Sequence, residues 1–448
     1  MTNLFIKNLY SIKKDNILPD VYEQARRCLT DYLAVTIAGT KPLQEKTLAY
    51  IQSMENGNGE AAIVGLNRKA SMQTAALING MNAHVVELDD GHRKGALHIG
   101  STVFSALLAV AEKENLTSED FLYGAIIGYE ATIRLACAVQ PGNKLRGYHA
   151  TGTCGTIGAT MAIATALKFD EEQMKSALSA AVTCAAGVLE MQEDNADYKP
   201  LNVGRAAMDA VAAAYLGKAR FMPPFDAIGG KRGFLKVMTE EPKTEYITDF
   251  NAESPLAITQ IYMKTYAACR HTHPAIEAAL ILKKEHQINP SDIASIEVEA
   301  YKLAVAGHDH TDILGISSAK MSLPFSVALA LCKGNTGMDA YNEENVTDKT
   351  ILALTRKVTV KENEKLTSWV PKKRASILHL TLRNGTTYIQ QVDYPKGEPE
   401  NPLTDHELKE KFVSLATASG FSKDKCEEIL LLIQQPQFNL TTLLDKLS

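Results

Sequence analysis

Ile293-Ala-Ser-Ile-Glu-Val-Glu-Ala-Tyr301 alternates apolar and polar side chains, the period of a strand with one buried face. Lys357-Val-Thr-Val-Lys361 shares that period. Ser376-Ile-Leu-His-Leu-Thr-Leu-Arg-Asn-Gly-Thr-Thr-Tyr-Ile-Gln390 sets two β-branched runs about Asn384-Gly385, a dipeptide that tolerates the positive φ angles of a tight hairpin. Upstream the pattern is different. From Val21 to about Ala268 the chain is a succession of helical patterns rich in Ala, Leu, Ile and Met, among them Gln73 to Leu88, Phe104 to Lys113 and Ala206 to Ala219, and so many small side chains imply helices packed closely on one another. The change of period after Asn289 decides the fold class: mainly α, with an α+β part.

Beyond the strands, Gly397-Glu-Pro-Glu-Asn-Pro402 reads as a loop. Thr404 then caps an amphipathic helix, Asp405 to Ser419, which Gly420 ends. At 448 residues the chain exceeds the usual size of one hydrophobic core. The expected organisation is a large all-helical domain over 1–268, a smaller α/β domain inserted over 269–400, and C-terminal helices over 401–448 that return to the helical domain. A ligand cleft is expected where the two domains meet.

The net charge is −5 and the basic residues are scattered, which argues against a nucleic-acid partner. Seven cysteines, an odd number, are widely spaced and never form a C-x-x-C pair; disulfide frameworks, zinc ribbons and iron–sulfur clusters are not expected. The N-terminus lacks the apolar core of a targeting segment, and the longest uncharged stretch, Gly147 to Leu167, is full of Gly, Thr and Ala. The expectation is a cytoplasmic protein without a membrane partner.

Four segments could carry chemistry. In Glu87-Leu-Asp-Asp-Gly-His-Arg-Lys-Gly-Ala-Leu-His98 the carboxylates of Asp89 and Asp90 end a helical run, and His98 follows a glycine-broken loop; charges of both signs this close shift one another's pKa. The plain alternative is a solvated loop with capping aspartates, but the buried-looking helix entered at Ile99 favours function. In Tyr148-His149-Ala-Thr-Gly-Thr-Cys-Gly-Thr-Ile-Gly158, His149 opens an apolar helix, where exposed amides attract a carboxylate and favour a neutral imidazole. Its glycines fit no phosphate-binding motif and serve close packing as readily. Lys199, in Asp197-Tyr-Lys-Pro-Leu-Asn-Val-Gly-Arg, precedes a small-residue helix, and a surface lysine beside a turn is its plain alternative. Arg270, His271 and His273, in Ala268-Cys-Arg-His-Thr-His-Pro-Ala-Ile-Glu277, stand before another helix; two apart in an extended segment, the histidines would point different ways. His308-Asp-His310 offers a second H-x-H pair, yet the spacings match no standard ligand pattern, and no metal is expected.

Taken together, LDDGHRKGALHIGS, GYHATGTCGTIGA, KPLNVGRAAMDA and CRHTHPAIEAA, supported by FMPPFDAIGGKRGFLKVM, AKMSLPFSVALAL and YPKGEPENPLTDHELKEKF, resemble the MmgE/PrpD family over nearly the whole chain. That family includes 2-methylcitrate dehydratases, cis-aconitate decarboxylases and iminodisuccinate epimerases. The resemblance implies a helical domain with an inserted α/β lid domain, a homodimer, and a cofactor-independent enzyme for a small polycarboxylate. It puts His98, His149, Lys199 and His273 at family positions. Two departures stand out: Gly91 follows the Asp pair where many relatives carry Thr, and Phe325 stands where members often have an active-site Tyr.

Dehydration, decarboxylation and epimerisation of polycarboxylates share one demand: a group must move a proton at a carbon beside a carboxylate while cations hold the developing charge. His98 and His149 are the candidates for base and acid, Lys199 and His273 for gripping carboxylates, and Asp90 for orienting a histidine or meeting a substrate hydroxyl. Asp89, Gly91, Arg270 and Phe325 are candidates for contacting substrate. By analogy with the family, hydro-lyase action ranks first, epimerisation of an imino- or hydroxy-dicarboxylate second, and decarboxylation third. A non-catalytic, metabolite-binding relative ranks last, because binding alone seldom needs so many titratable groups.

Overall fold

The computed structural model describes residues 1–55, 59–192, 196–252 and 254–447. The chain divides into two compact units: Met1–Tyr262 together with Thr404–Ser448, and Met263–Leu403.

The first unit is helical, with α1 at Thr2–Ser11, α2 at Pro19–Met54, α3 at Met72–Val85, α4 at Gly100–Ala111, α5 at Ser118–Val139, α6 at Ala150–Ala166, α7 at Glu171–Cys184 and α8 at Lys199–Lys218. A short hairpin, β1 (Ala61–Ile63) and β2 (Arg68–Ala70), lies between α2 and α3. Every residue of α4 is buried, and so is every residue of α6 except Thr165. Small side chains make that possible. A Cβ on Gly158 would stand 1.7 Å from Thr132 Oγ1 of α5, and one on Gly155 would stand 3.0 Å from Thr102 Cγ2 of α4. Two hydroxyls that α6 carries into this core donate along the helix itself, Thr156 to Gly152 O and Thr160 to Thr156 O, each at 2.7 Å, and so are satisfied without a partner from outside the helix. Among the described residues, α5 alone is long and apolar enough to cross a membrane, but 89% of its most apolar window is buried in the protein, as in a core helix. The Ala- and Gly-rich surface of α6 is likewise covered by this chain's own helices.

In the second unit the sheet runs β4-β3-β5-β6, with β3 at Ile293–Ala300, β4 at Val358–Glu362, β5 at Ser376–Leu382 and β6 at Thr387–Val392. β3 pairs parallel with β4 (Ile296 opposite Val358) and antiparallel with β5 (Val298 opposite Leu378). The alternating pattern becomes a buried row of Ile296, Val298 and Ala300, while the register shifts between Ile293 and Ser295. In the β5–β6 hairpin only Gly385 takes a positive φ, 89°. The last backbone pair is Leu382 with Thr386, so the loop has three residues, with glycine at the left-handed position. Asn384 supports it from outside, accepting the Thr386 amide through Oδ1 at 3.0 Å. Helices α9 (His273–His286) and α10 (Leu323–Lys333) are the longest of this unit among the described residues, α9 lying against β5, β6 and α10.

The chain then returns to the first unit in α11, Asp405–Ala418, whose Thr404 and Glu407 form a capping box. From α11, Lys411 Nζ reaches Asp31 Oδ1 of α2 at 2.6 Å and the Leu88 carbonyl at 2.9 Å. The segment that follows α3 is thereby fixed from a point far along the sequence.

Candidate active site

Helix α3 ends at Val85 and the chain turns through Glu87, whose φ of 59° lies in the left-handed region. The next residues run between α3 and α4. Asp90 caps the start of α4: its Oδ1 accepts the amides of Ile99 (3.2 Å) and Gly100 (2.9 Å), and its Oδ2 accepts the hydroxyl of Tyr129 from α5. Burial nevertheless raises the Asp90 pKa to about 7, opposing the Tyr129 and Gly100 hydrogen bonds, with the nearby Asp31 and Asp89 adding to the rise.

The main chain of the same residue sets the state of His98. Nδ1 of His98 stands 2.6 Å from the Asp90 carbonyl and 3.3 Å from Asp89 Oδ2. A carbonyl can only accept, so Nδ1 carries the proton and Nε2 is the basic nitrogen of the neutral ring. Asp89 Oδ2 also takes Nδ1 of His84 at 2.8 Å. One buried carboxylate thus serves two imidazoles, whose ring centres are 4.8 Å apart. His84, Asp89 and His98 could geometrically hold a metal ion. Here, however, both Nδ1 atoms face the carboxylate at hydrogen-bonding distance, and shared protons account for the arrangement.

His149 is the N-cap of α6, and its ring centre lies 5.8 Å from that of His84. Burial pushes its pKa well below the usual imidazole range; His84, Lys199 and His98 push the same way, and Glu87 opposes them. The ring is therefore neutral, as its place at a helix start also favours. Its buried Nδ1 has no hydrogen-bond partner among the described residues, and neither has Nε2 of His84. Buried polar atoms are rarely left so, and a ligand's polar atoms would satisfy both. Lys199, in the first turn of α8, forms an ion pair with Glu87. One cluster of the first unit thus brings together His98, His149, Lys199, Asp89 and Asp90.

Gly91 does not leave a gap. It bridges to Tyr262 through two backbone hydrogen bonds of 2.9 and 2.8 Å, and a Cβ on it would stand 2.4 Å from Tyr262 Oη. The hydroxyl beside this position comes from Tyr262, which occupies the room that a threonine side chain would need.

The candidates of the second unit are arranged differently from the sequence expectation. Arg270–Thr272 is a 3-10 turn running straight into α9, not an extended segment. His273 is fully buried, with Nδ1 2.7 Å from Arg270 Nη1 and Nε2 3.2 Å from the Ala268 carbonyl. Arg270 in turn forms a buried ion pair with Glu398. Both nitrogens of His273 thus have partners inside the unit, the Arg270 guanidinium and the Ala268 carbonyl. Phe325, in the first turn of α10, is fully buried with its ring 6.3 Å from that of Tyr341, a core position for an apolar side chain.

Two family models match the chain, that of the MmgE/PrpD N-terminal domain over residues 7–247 and that of the MmgE/PrpD C-terminal domain over residues 266–435. The chain belongs to the MmgE/PrpD family. Among curated relatives of this MmgE/PrpD enzyme, a cis-aconitate decarboxylase of Aspergillus terreus is 25% identical, the match covering 98% of this chain and 94% of the relative. The cis-aconitate decarboxylase of Homo sapiens is 22% identical over 97% and 91%. An alkylcitrate dehydratase, phiI, of a fungal species is 27% identical over 57% of this chain and 53% of its own.

Three residues of this cluster escaped the sequence reading: His84, Glu87 and Tyr129. His84 sits inside the α3 pattern and reads as an ordinary helical residue. Its spacing of five from Asp89 straddles the helix end, where no periodicity applies. Tyr129 lies deep in α5, and nothing local marks its hydroxyl as the partner of Asp90. Glu87 left a readable trace: a charged residue where a helix should end on glycine.

Proposed function

We infer that this enzyme is a lyase acting by proton transfer on a small polycarboxylate of the citrate or aconitate type. One observation carries the reading. A neutral imidazole with an unpartnered buried nitrogen, His149, shares a cluster with His98, whose Nδ1 proton is held by Asp90 and Asp89. The two rings have distinct roles. Asp89 can balance an imidazolium at His98, so that ring can take up or give a proton through Nε2. His149 stays uncharged and can hydrogen-bond a polar group of the substrate through its buried Nδ1. The ammonium of Lys199 offers a charge for a substrate carboxylate.

Decarboxylation of a cis-aconitate-type acid is the first reaction to test. The bond from carbon to one carboxyl group breaks, carbon dioxide leaves, the electron pair stays on carbon, and the His98 imidazolium delivers a proton there. The near-full-length relatives that carry the decarboxylase name support this order, although the sequence resemblance alone ranked dehydration first. Dehydration of a hydroxylated citrate-type acid is the second reading, supported by the alkylcitrate dehydratase match. In that case neutral His98 takes the proton from carbon, the C–H electron pair forms the new double bond, and the His98 imidazolium returns the proton to the departing hydroxyl, which leaves with the C–O electron pair as water.

The test is proton NMR in D₂O with cis-aconitate, methylcitrate and iminodisuccinate supplied separately, and His98→Ala as control. Decarboxylation shows as loss of the cis-aconitate signals, release of carbon dioxide and one deuterium in the product. A product from methylcitrate alone moves the assignment to dehydration. Turnover of none of them by the folded protein, or equal turnover by His98→Ala, overturns the proposal.

A further inference from the structure

We propose that Cys269, His271 and His308 of the second unit form a binding site for a divalent transition metal of the zinc class. The three donor atoms, one sulfur and two imidazole nitrogens, lie within 4.8 Å of one another. Cys269 Sγ stands 3.7 Å from His308 Nε2, where tetrahedral zinc with ordinary bond lengths would set sulfur and nitrogen about 3.6 Å apart. The two imidazole ring centres are 5.3 Å apart. Rotamer-scale movement is enough to gather the set around one ion.

The partners of the two rings carry the inference further. His308 Nδ1 is 2.8 Å from the Met321 carbonyl. That carbonyl can only accept, so Nδ1 holds the proton and Nε2 turns its lone pair toward the thiol. His271 Nδ1 is 2.6 Å from the Tyr301 hydroxyl, and Tyr301 is itself fully buried and held in the core of this unit. Each ring is thus oriented through Nδ1 by a fixed oxygen, the outer-shell arrangement that ordinarily accompanies a metal-ligating histidine. The contrast with His84, Asp89 and His98 is instructive: there the Nδ1 atoms themselves face the carboxylate. All three proposed ligands are partly exposed, which gives an ion a way in. A thiolate with two imidazoles favours zinc, cobalt or copper over magnesium or calcium.

The test titrates the full chain, stripped with a chelator, with Co²⁺ and then with Zn²⁺. One equivalent of Co²⁺ should raise the near-ultraviolet charge-transfer band of a cobalt–thiolate bond, and one equivalent of Zn²⁺ should abolish it. The His84 cluster contains no sulfur and cannot produce that band. Cys269→Ser should lose the band and bind Zn²⁺ at least about 10-fold more weakly, while Cys332→Ser should keep both properties. Should Cys269→Ser fail to fold, Zn²⁺ must instead slow alkylation of Cys269 in the unaltered chain, mapped by mass spectrometry. Absence of the band with no such protection overturns the proposal, and so does unchanged Zn²⁺ affinity in folded Cys269→Ser.

Discussion

The ammonium of Lys199, in the first turn of α8, meets the carboxylate of Glu87, which follows α3 in a left-handed backbone conformation. A glycine would turn there without strain, and a glutamate costs on the order of 1 kcal/mol in the same backbone. The pair is mostly shielded, with side-chain exposures of 18% for Lys199 and 8% for Glu87, so its loss should exceed that of a surface ion pair. In a cycle of Glu87→Gln, Lys199→Met and the double variant, chemical denaturation should give a coupling of roughly 1–3 kcal/mol. Coupling within the error of about 0.3 kcal/mol would mean that the pair holds nothing together.

Asp89 is argued to act through His98 rather than on substrate. Asp89→Asn keeps the shape but removes the charge that balances a His98 imidazolium. The variant should lose roughly 10²- to 10⁴-fold in kcat, with a much smaller change in KM, and the pH profile of kcat should shift as well. A loss confined to KM would instead make Asp89 a substrate contact, the role that the sequence suggested for it.

How much of this was legible follows from how far each signal travels along the chain. The strand pattern of Ile293 to Tyr301 and the Asn384-Gly385 hairpin are local, and both survive in β3 and in the β5–β6 hairpin. The family, too, was legible, because its motifs lie in contiguous runs. The cluster around His98 was half legible. Asp89, Asp90, His98, His149 and Lys199 could each be named, but Asp90 binds Tyr129 39 residues away and Lys199 binds Glu87 112 residues away, and no periodicity reports such distances. Around His273 it was the backbone that was not legible. A histidine before a helix looks available from sequence, yet the 3-10 turn aims it at Arg270 and the Ala268 carbonyl.

Asp90 makes a pH-dependent contribution to stability. Burial lifts its pKa from 3.8 to about 7 in the folded chain, so the folded state holds the proton more tightly than the unfolded state does. That contribution is full below the unfolded value, declines as pH rises, and is lost once pH passes the folded value. Between about pH 4 and pH 7 the unaltered chain should therefore lose stability relative to Asp90→Asn, which retains an oxygen for the Gly100 amide. Thermal denaturation of both proteins across that range tests the slope. Parallel curves would mean that Asp90 is ionised in the fold despite its burial.

Gly91 is fixed by sterics. A Cβ there would stand 2.4 Å from Tyr262 Oη, 2.5 Å from Tyr262 Cζ and 2.8 Å from the Leu97 carbonyl, closer than side chains pack. Gly91→Thr should therefore destabilise the first unit by roughly 1–3 kcal/mol through overpacking. Shortening the opposing ring in Gly91→Thr with Tyr262→Leu should recover part of that loss, because two of the three contacts belong to Tyr262. Denaturation midpoints of the two single variants and the double variant separate the cases. A double variant as unstable as the sum of the singles would show that the Leu97 carbonyl, not the phenol, is what excludes a side chain from position 91.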